Sequence, residues 1–109
     1  MAVYVDNERI KWRGRLWCHL VADSLDELHA FAARIGLRRT WFQDRASYPH
    51  YDVTTDVRER ALLAGALASR KREVLGAARK LKAELAASAP KPLLVDVVQQ
   101  PSSQTFSLF

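Results

Sequence analysis

Three short apolar stretches in the first half of the chain each run straight into an aspartate: Val3-Tyr4-Val5-Asp6, Leu20-Val21-Ala22-Asp23 and His50-Tyr51-Asp52. They are too short for amphipathic helices, and their β-branched and aromatic side chains suit a pleated surface. A chain built this way is constrained to lay them side by side in a sheet. The polar groups then collect beyond the strand ends, where open α/β sheets bind ligands. All three histidines, His19, His29 and His50, fall in the same half.

Between these stretches lies a helix signal. Ser24-Leu25-Asp26-Glu27 has the form of a capping box, in which the serine hydroxyl and the glutamate carboxylate satisfy backbone donors at a helix start. Leu25, Leu28, Phe31, Ala32 and Ile35 keep helical spacing, and Gly36 stands where a left-handed cap is wanted. His29 shares the apolar stripe, which makes it a hydrogen-bonded histidine at the core edge rather than a ligand. Upstream, Arg9 to Arg15 reads as an exposed basic arm turned at Gly14, followed by a strand over Leu16 to Ala22. Downstream, Trp41-Phe42-Gln43 reads as a short strand and Asp44 to Pro49 as a loop. A second helical pattern starts at Thr55 or Asp56, both good N-caps, and runs to about Ala87. Leu67, Val74 and Leu81 recur every seven residues in it, while Gly65 and Gly76 weaken it by about 1 kcal/mol each and allow a break into two helices.

The expected architecture is a small single α/β domain over residues 1–87. A short mixed sheet of three to five strands is packed by a capped helix (about 24–35) and a longer basic helical segment (about 56–87). Residues 88–109 form a Pro-, Ser- and Gln-rich linker and interaction tail. The long apolar stripe must cover something, either the sheet or a second copy, so a homodimer through residues 57–87 is an open expectation.

Charge is placed unevenly. Residues 1–54 are nearly neutral, but between Val57 and Ala86 eight basic residues face three glutamates, so the net charge of +5 belongs to that element. Such a face favours polyanions, with Arg13, Arg15, Arg70, Lys71 and Arg72 as candidate nucleic-acid contacts. No apolar run approaches the roughly 18–20 residues of a membrane span, and the first residues lack a basic and then long apolar leader pattern. The expectation is a cytoplasmic protein without membrane contact. The single Cys18 reads as a buried thiol within a strand.

The chain ends Gln104-Thr105-Phe106-Ser107-Leu108-Phe109. This resembles the short peptides with which bacterial polymerases and repair proteins bind the sliding clamp. The resemblance implies a rim hydrogen bond for Gln104 and a hydrophobic pocket for Leu108 and Phe109, although Gln104 stands one residue farther from that pair than in the tightest motif. A larger resemblance covers residues 3–68. It is carried by Val3-Tyr4-Val5-Asp6, by Trp12 through Leu20, by Ala22-Asp23 and Glu27 through Ala32, by Ile35-Gly36-Leu37, by Trp41-Phe42-Gln43 and by His50-Tyr51-Asp52. These words together resemble a small bacterial and phage family of unknown function, the domain of unknown function 4031 type. The resemblance implies a compact α/β domain and is silent on activity.

Three chemistries suit the polar groups. Asp6, Asp23 and Asp52, with His19 or His50, could hold a divalent metal. Carboxylates favour Mg²⁺ or Mn²⁺, which orient phosphates and activate water. Zinc is disfavoured because no close Cys/His pair has finger or metalloprotease spacing. Alternatively His50 is a general base oriented by Asp52, with Asp6 as a further catalytic candidate. In a noncatalytic version Trp17 or Trp41 stacks on a ligand ring, and Gln43, His50 and Asp52 read its polar edge, with His19 as a further ligand-binding candidate. Two functions follow. One is an accessory factor of DNA replication or repair that binds nucleic acid or the clamp, with a metal-dependent phosphodiesterase-like site. The other is a small nucleotide- or metabolite-binding, hydrolytic domain with a His/Asp crevice.

Overall fold

The computed structural model of the protein describes residues 2–88. The linker and the tail residues Gln104, Leu108 and Phe109 lie outside the described residues. Six strands and three helices follow in the order β1 (Val3–Val5), β2 (Ile10–Trp12), β3 (Arg15–Ala22), α1 (Leu25–Arg34), β4 (Phe42–Gln43), β5 (His50–Thr54), α2 (Thr55–Leu63), β6 (Leu67–Ala68) and α3 (Lys71–Ser88). The sheet runs β4-β5-β3-β1-β6, and β2 pairs with the first residues of β3. Among the described residues β1 and β6 run parallel and the other pairings are antiparallel. The mixed α/β sheet is as expected and one strand larger than its upper bound. The extra pieces, β2 and β6, are too short to carry a periodicity signal.

Four local devices build this frame. Ser24 Oγ accepts the Glu27 backbone N–H, and Glu84 from α3 accepts the Leu25 N–H at 2.8 Å, so α1 is capped from within and from a helix far along the chain. At its end Leu37 N–H bonds to Ala32 O and Gly36 N–H to Ala33 O, with Gly36 at φ 90°, a Schellman cap that only glycine adopts at low cost. The expected basic arm is half of a hairpin. Trp12 pairs with Arg15, and the two residues between them, Arg13 and Gly14, both have positive φ, as a type I′ turn demands. The second helix starts at Thr55, with Thr54 rather than Thr55 or Asp56 as its cap, because Thr54 Oγ1 reaches the Val57 N–H.

The expected long helix is broken between Leu63 and Lys71. Gly65 at φ 114° ends α2, with Ala66 N–H returning to Ala61 O, and Leu67-Ala68 then joins the edge of β1. Leu67 thus leaves the seven-residue stripe and is exposed, as is Leu63, while Val74 and Leu81 are fully buried on α3.

The strand register sorts the side chains, since directly opposed residues point the same way. One face carries Val3, Val5, Cys18, Leu20, Ala22, Tyr51 and Val53, covered by α1 through Leu28, Phe31 and Ala32 and by α2 through Ala61. The other face carries Val21, His19 and their neighbours, and α3 packs there with Val74, Ala77, Ala78 and Leu81. The α3 part of the apolar stripe in 57–87 thus packs on the chain's own sheet, while Leu63 and Leu67 are exposed. Among the described residues no helix is long and apolar enough to cross a membrane. Burial pushes the Cys18 thiol up, in keeping with an inert strand cysteine.

His29 sits at the core edge as expected, its Nδ1 2.9 Å from Tyr51 Oη and its ring edge-on to Phe42. Burial first, and the Arg39 guanidinium second, hold its pKa below 6.5, against weaker opposition from Asp26 and Glu84. The stability linked to neutral His29 is complete above that value and is lost as pH falls below it, because the unfolded chain then binds the proton first. Urea midpoints should fall between about pH 6.5 and 5 in the unmutated protein. His29→Gln should flatten that limb; an unchanged slope would show that other groups set it.

Candidate functional site

At Asp6 the β1–β3 ladder changes partners. The Asp6 backbone N–H still bonds to His19 O, but the His19 N–H goes to the Asp6 carboxylate at 2.9 Å. The carbonyl that it replaces accepts instead from Arg58 Nε of α2, at 2.7 Å. The other carboxylate oxygen meets His19 Nδ1 at 2.5 Å. Asp6 and His19 are both fully buried. A strand-end aspartate thus serves as part of the ladder and as the orienting group for an imidazole.

The register brings the remaining groups to the same place. His19 lies opposite Asp52, Trp17 opposite Thr54, and Gln43 opposite His50, so all six share the face away from α1. His50 follows the buried Pro49. Its Nδ1 bonds to the Tyr48 carbonyl at 2.7 Å, and its Nε2 stands 2.8 Å from Asp52 Oδ1. The two imidazoles cross at 73° with ring centres 5.1 Å apart. His19, His50 and Asp52 each present one potential ligand atom, all within 4.8 Å of one another.

Asp52, its side chain 12% exposed, also lines a cleft of about 470 Å³. Its other walls include Trp12, Trp17, Trp41, Arg15 and Gln43. Trp17 Nε1 donates to Trp12 O, and the two rings meet edge-on at 6.1 Å. Arg13 lies over Trp12, Arg38 lies over Trp41, and Trp41 is half exposed.

Of the expected metal carboxylates, Asp52 lies in the cluster, Asp6 stands one shell outside it behind His19, and Asp23 lies elsewhere. Asp23 receives the Ala2 N–H, the Tyr4 hydroxyl and, at 3.4 Å, Lys80 Nζ. Partial burial works against its ionisation, but those hydrogen bonds outweigh burial and hold its carboxyl below the ordinary value. Of the expected catalytic residues, His50 and Asp52 are in direct contact and Asp6 reaches them only through His19. Trp17, Trp41 and Gln43 line the cleft. Arg13 and Arg15 sit on the β2–β3 hairpin, while Arg70, Lys71 and Arg72 lie at the start of α3; all five are exposed.

Trp12, Arg58 and Tyr48 join the site in the structure without being marked by the sequence patterns above. The two-residue spacing between Trp12 and Arg15 was a readable hairpin signal. Nothing local marks Arg58 as the partner of Asp6.

The family described as "Protein of unknown function (DUF4031)" matches residues 3–81. The chain belongs to the DUF4031 family. The match extends past residue 68 as far as Leu81, so the family's domain includes the part of α3 that carries Val74, Ala77, Ala78 and Leu81 onto the second sheet face. No curated protein and no solved structure matches the chain.

Proposed function

We propose that this DUF4031 domain binds a small ligand that joins a planar ring to an anionic group, a nucleotide being the class that fits, with its reactive end at Asp52. One observation carries the reading: Asp52, held by His50, is in the wall of the same cleft as Trp12, Trp17, Trp41 and Arg15. The volume falls within the range of small-molecule sites, about 300–1,000 Å³. Aromatic faces supply stacking, worth about 1–3 kcal/mol per base, and the arginine supplies charge for a phosphate. Asp52 oriented by His50 then offers proton transfer at the deep end, which suits hydrolysis.

The chain's three tryptophans all line this cleft, so intrinsic fluorescence reports on it directly. Titration with nucleoside mono-, di- and triphosphates should give saturable quenching, and Trp41→Ala should weaken it about tenfold, the equivalent of about 1.4 kcal/mol. If none of these ligands changes the fluorescence, the reading fails.

A second reading, contact with a nucleic acid, has its own support in the exposed Arg13, Arg15, Arg70, Lys71 and Arg72. A single-stranded oligonucleotide would then quench at much lower concentration than mononucleotides, with a steep salt dependence. A role beside the sliding clamp rests on Gln104, Leu108 and Phe109 alone.

A further inference from the structure

We propose that His19, His50 and Asp52 form a site for a divalent transition-metal ion of the zinc or iron(II) class, with Asp6 and the Tyr48 carbonyl aiming the two imidazoles. The tautomers follow from the outer contacts. A carbonyl only accepts, so His50 Nδ1, 2.7 Å from Tyr48 O, carries the proton. Asp6 takes the His19 N–H on one oxygen and the His19 Nδ1 proton on the other, as a carboxylate does. In the neutral form, which an ion requires, both rings then hold their lone pair on Nε2. This is the arrangement of metal-bound histidines, whose second nitrogen donates to a carboxylate or a backbone carbonyl.

The lone pair of His50 Nε2 stands 2.8 Å from Asp52 Oδ1. Two such atoms repel unless positive charge lies between them. A proton accounts for that pair; an ion accounts for the pair and for the convergence of the second imidazole within 4.8 Å. Neighbouring ligand atoms around an ion at about 2.1 Å stand roughly 3.0 Å apart in octahedral and roughly 3.4 Å apart in tetrahedral geometry, so the His50–Asp52 pair at 2.8 Å nears the octahedral spacing and would open slightly around a tetrahedral ion. A divalent charge also balances the two carboxylates, Asp6 and Asp52, gathered in this poorly hydrated place.

The donor set decides the class of ion. Two neutral imidazoles and one carboxylate favour zinc, iron(II) or cobalt over Mg²⁺, which prefers oxygen. The ligands come from neighbouring strands, β3 and β5, and not from one local motif, so finger or protease spacing does not apply. Three protein ligands leave coordination positions open, and Asp52 connects the site to the cleft, where a bound ion would polarise water or a ligand oxygen.

This site shares Asp52 and His50 with the nucleotide reading, but the two fail separately: one is read by metal uptake, the other by tryptophan quenching. The full-length protein, stripped with chelator and confirmed folded by circular dichroism, is titrated with Co²⁺ alone and then with Zn²⁺. The expected result is visible cobalt absorption saturating at one ion per chain and displaced by zinc. Asp52→Asn should weaken uptake at least tenfold, and Asp6→Asn about 10–100-fold, the usual loss for an orienting partner. Because Asp6 variants strain the fold, the unmutated protein supplies a second readout: zinc should shift the Nε2 resonances of His19 and His50 together and leave His29 in place. A folded, stripped protein that takes up neither ion overturns the proposal. So does uptake that Asp52→Asn leaves undiminished or that leaves both histidine resonances unmoved.

Discussion

A chain ending at Ala68 is expected to lose cooperative folding altogether. Removing α3 takes away Val74, Ala77, Ala78 and Leu81, all almost fully buried, and uncovers the sheet face that carries Val21 and His19. Full burial of a valine or leucine is worth about 1.5–3 kcal/mol, so these side chains and the strand face beneath them together exceed about 5 kcal/mol. A domain of this size has roughly 5–15 kcal/mol in total. The deletion also removes Glu84, which accepts the first N–H of α1. Urea unfolding followed by circular dichroism should show a sigmoidal transition for the full chain and none for the truncated one. Leu81→Ala offers a graded version, with an expected loss of about 2–4 kcal/mol. A truncated chain that unfolds cooperatively would mean that the sheet is self-sufficient with one face bare.

Asp6→Ala should be the most damaging single substitution near the site, by about 3–5 kcal/mol, because it strips partners from groups that water cannot reach. The His19 backbone N–H and ring Nδ1 would both lose their acceptor in a fully buried position. Hydrogen bonds to a charged group are each worth about 1.5–3 kcal/mol, and the orphaned donors add their desolvation cost. Asp23→Ala makes the control. That carboxylate also takes several hydrogen bonds, but one comes from the exposed Lys80 and its surroundings are partly hydrated, so its loss should cost only about 1–2 kcal/mol. Chemical denaturation of the two variants side by side tests the ordering. Equal losses would show that Asp6 is an ordinary strand-end cap.

Local chemistry made the elements legible. The Ser24 cap, the helix periodicity and Gly36 located α1 because each acts within a turn of chain, and the alternating β-branched runs located β1, β3 and β5 for the same reason. The break at Gly65 was readable as a weakness, but helix periodicity continued through it and concealed β6. A two-residue strand is defined by its partner Tyr4-Val5, not by its own residues.

For the site, the order of residues carries the chemical inventory: two histidines and several aspartates in or beside apolar stretches, tryptophans nearby, and a basic second half. Pairing between distant segments sets which of them meet. Asp6 and Asp23 look alike in sequence, each ending an apolar run, yet one turns inward onto His19 and the other outward to Tyr4 and Lys80. Both stand on the sheet face that α3 covers, but Asp6 lies beside His19 within β3 while Asp23 falls past the end of β3 beside Tyr4 and Lys80, and which residues lie opposite one another is fixed by pairing between segments far apart in the chain. Convergence of His19 with Asp52 is a property of the β3–β5 ladder, and the protonated nitrogens of both rings are set by Asp6 and by a backbone carbonyl that any residue at position 48 would carry.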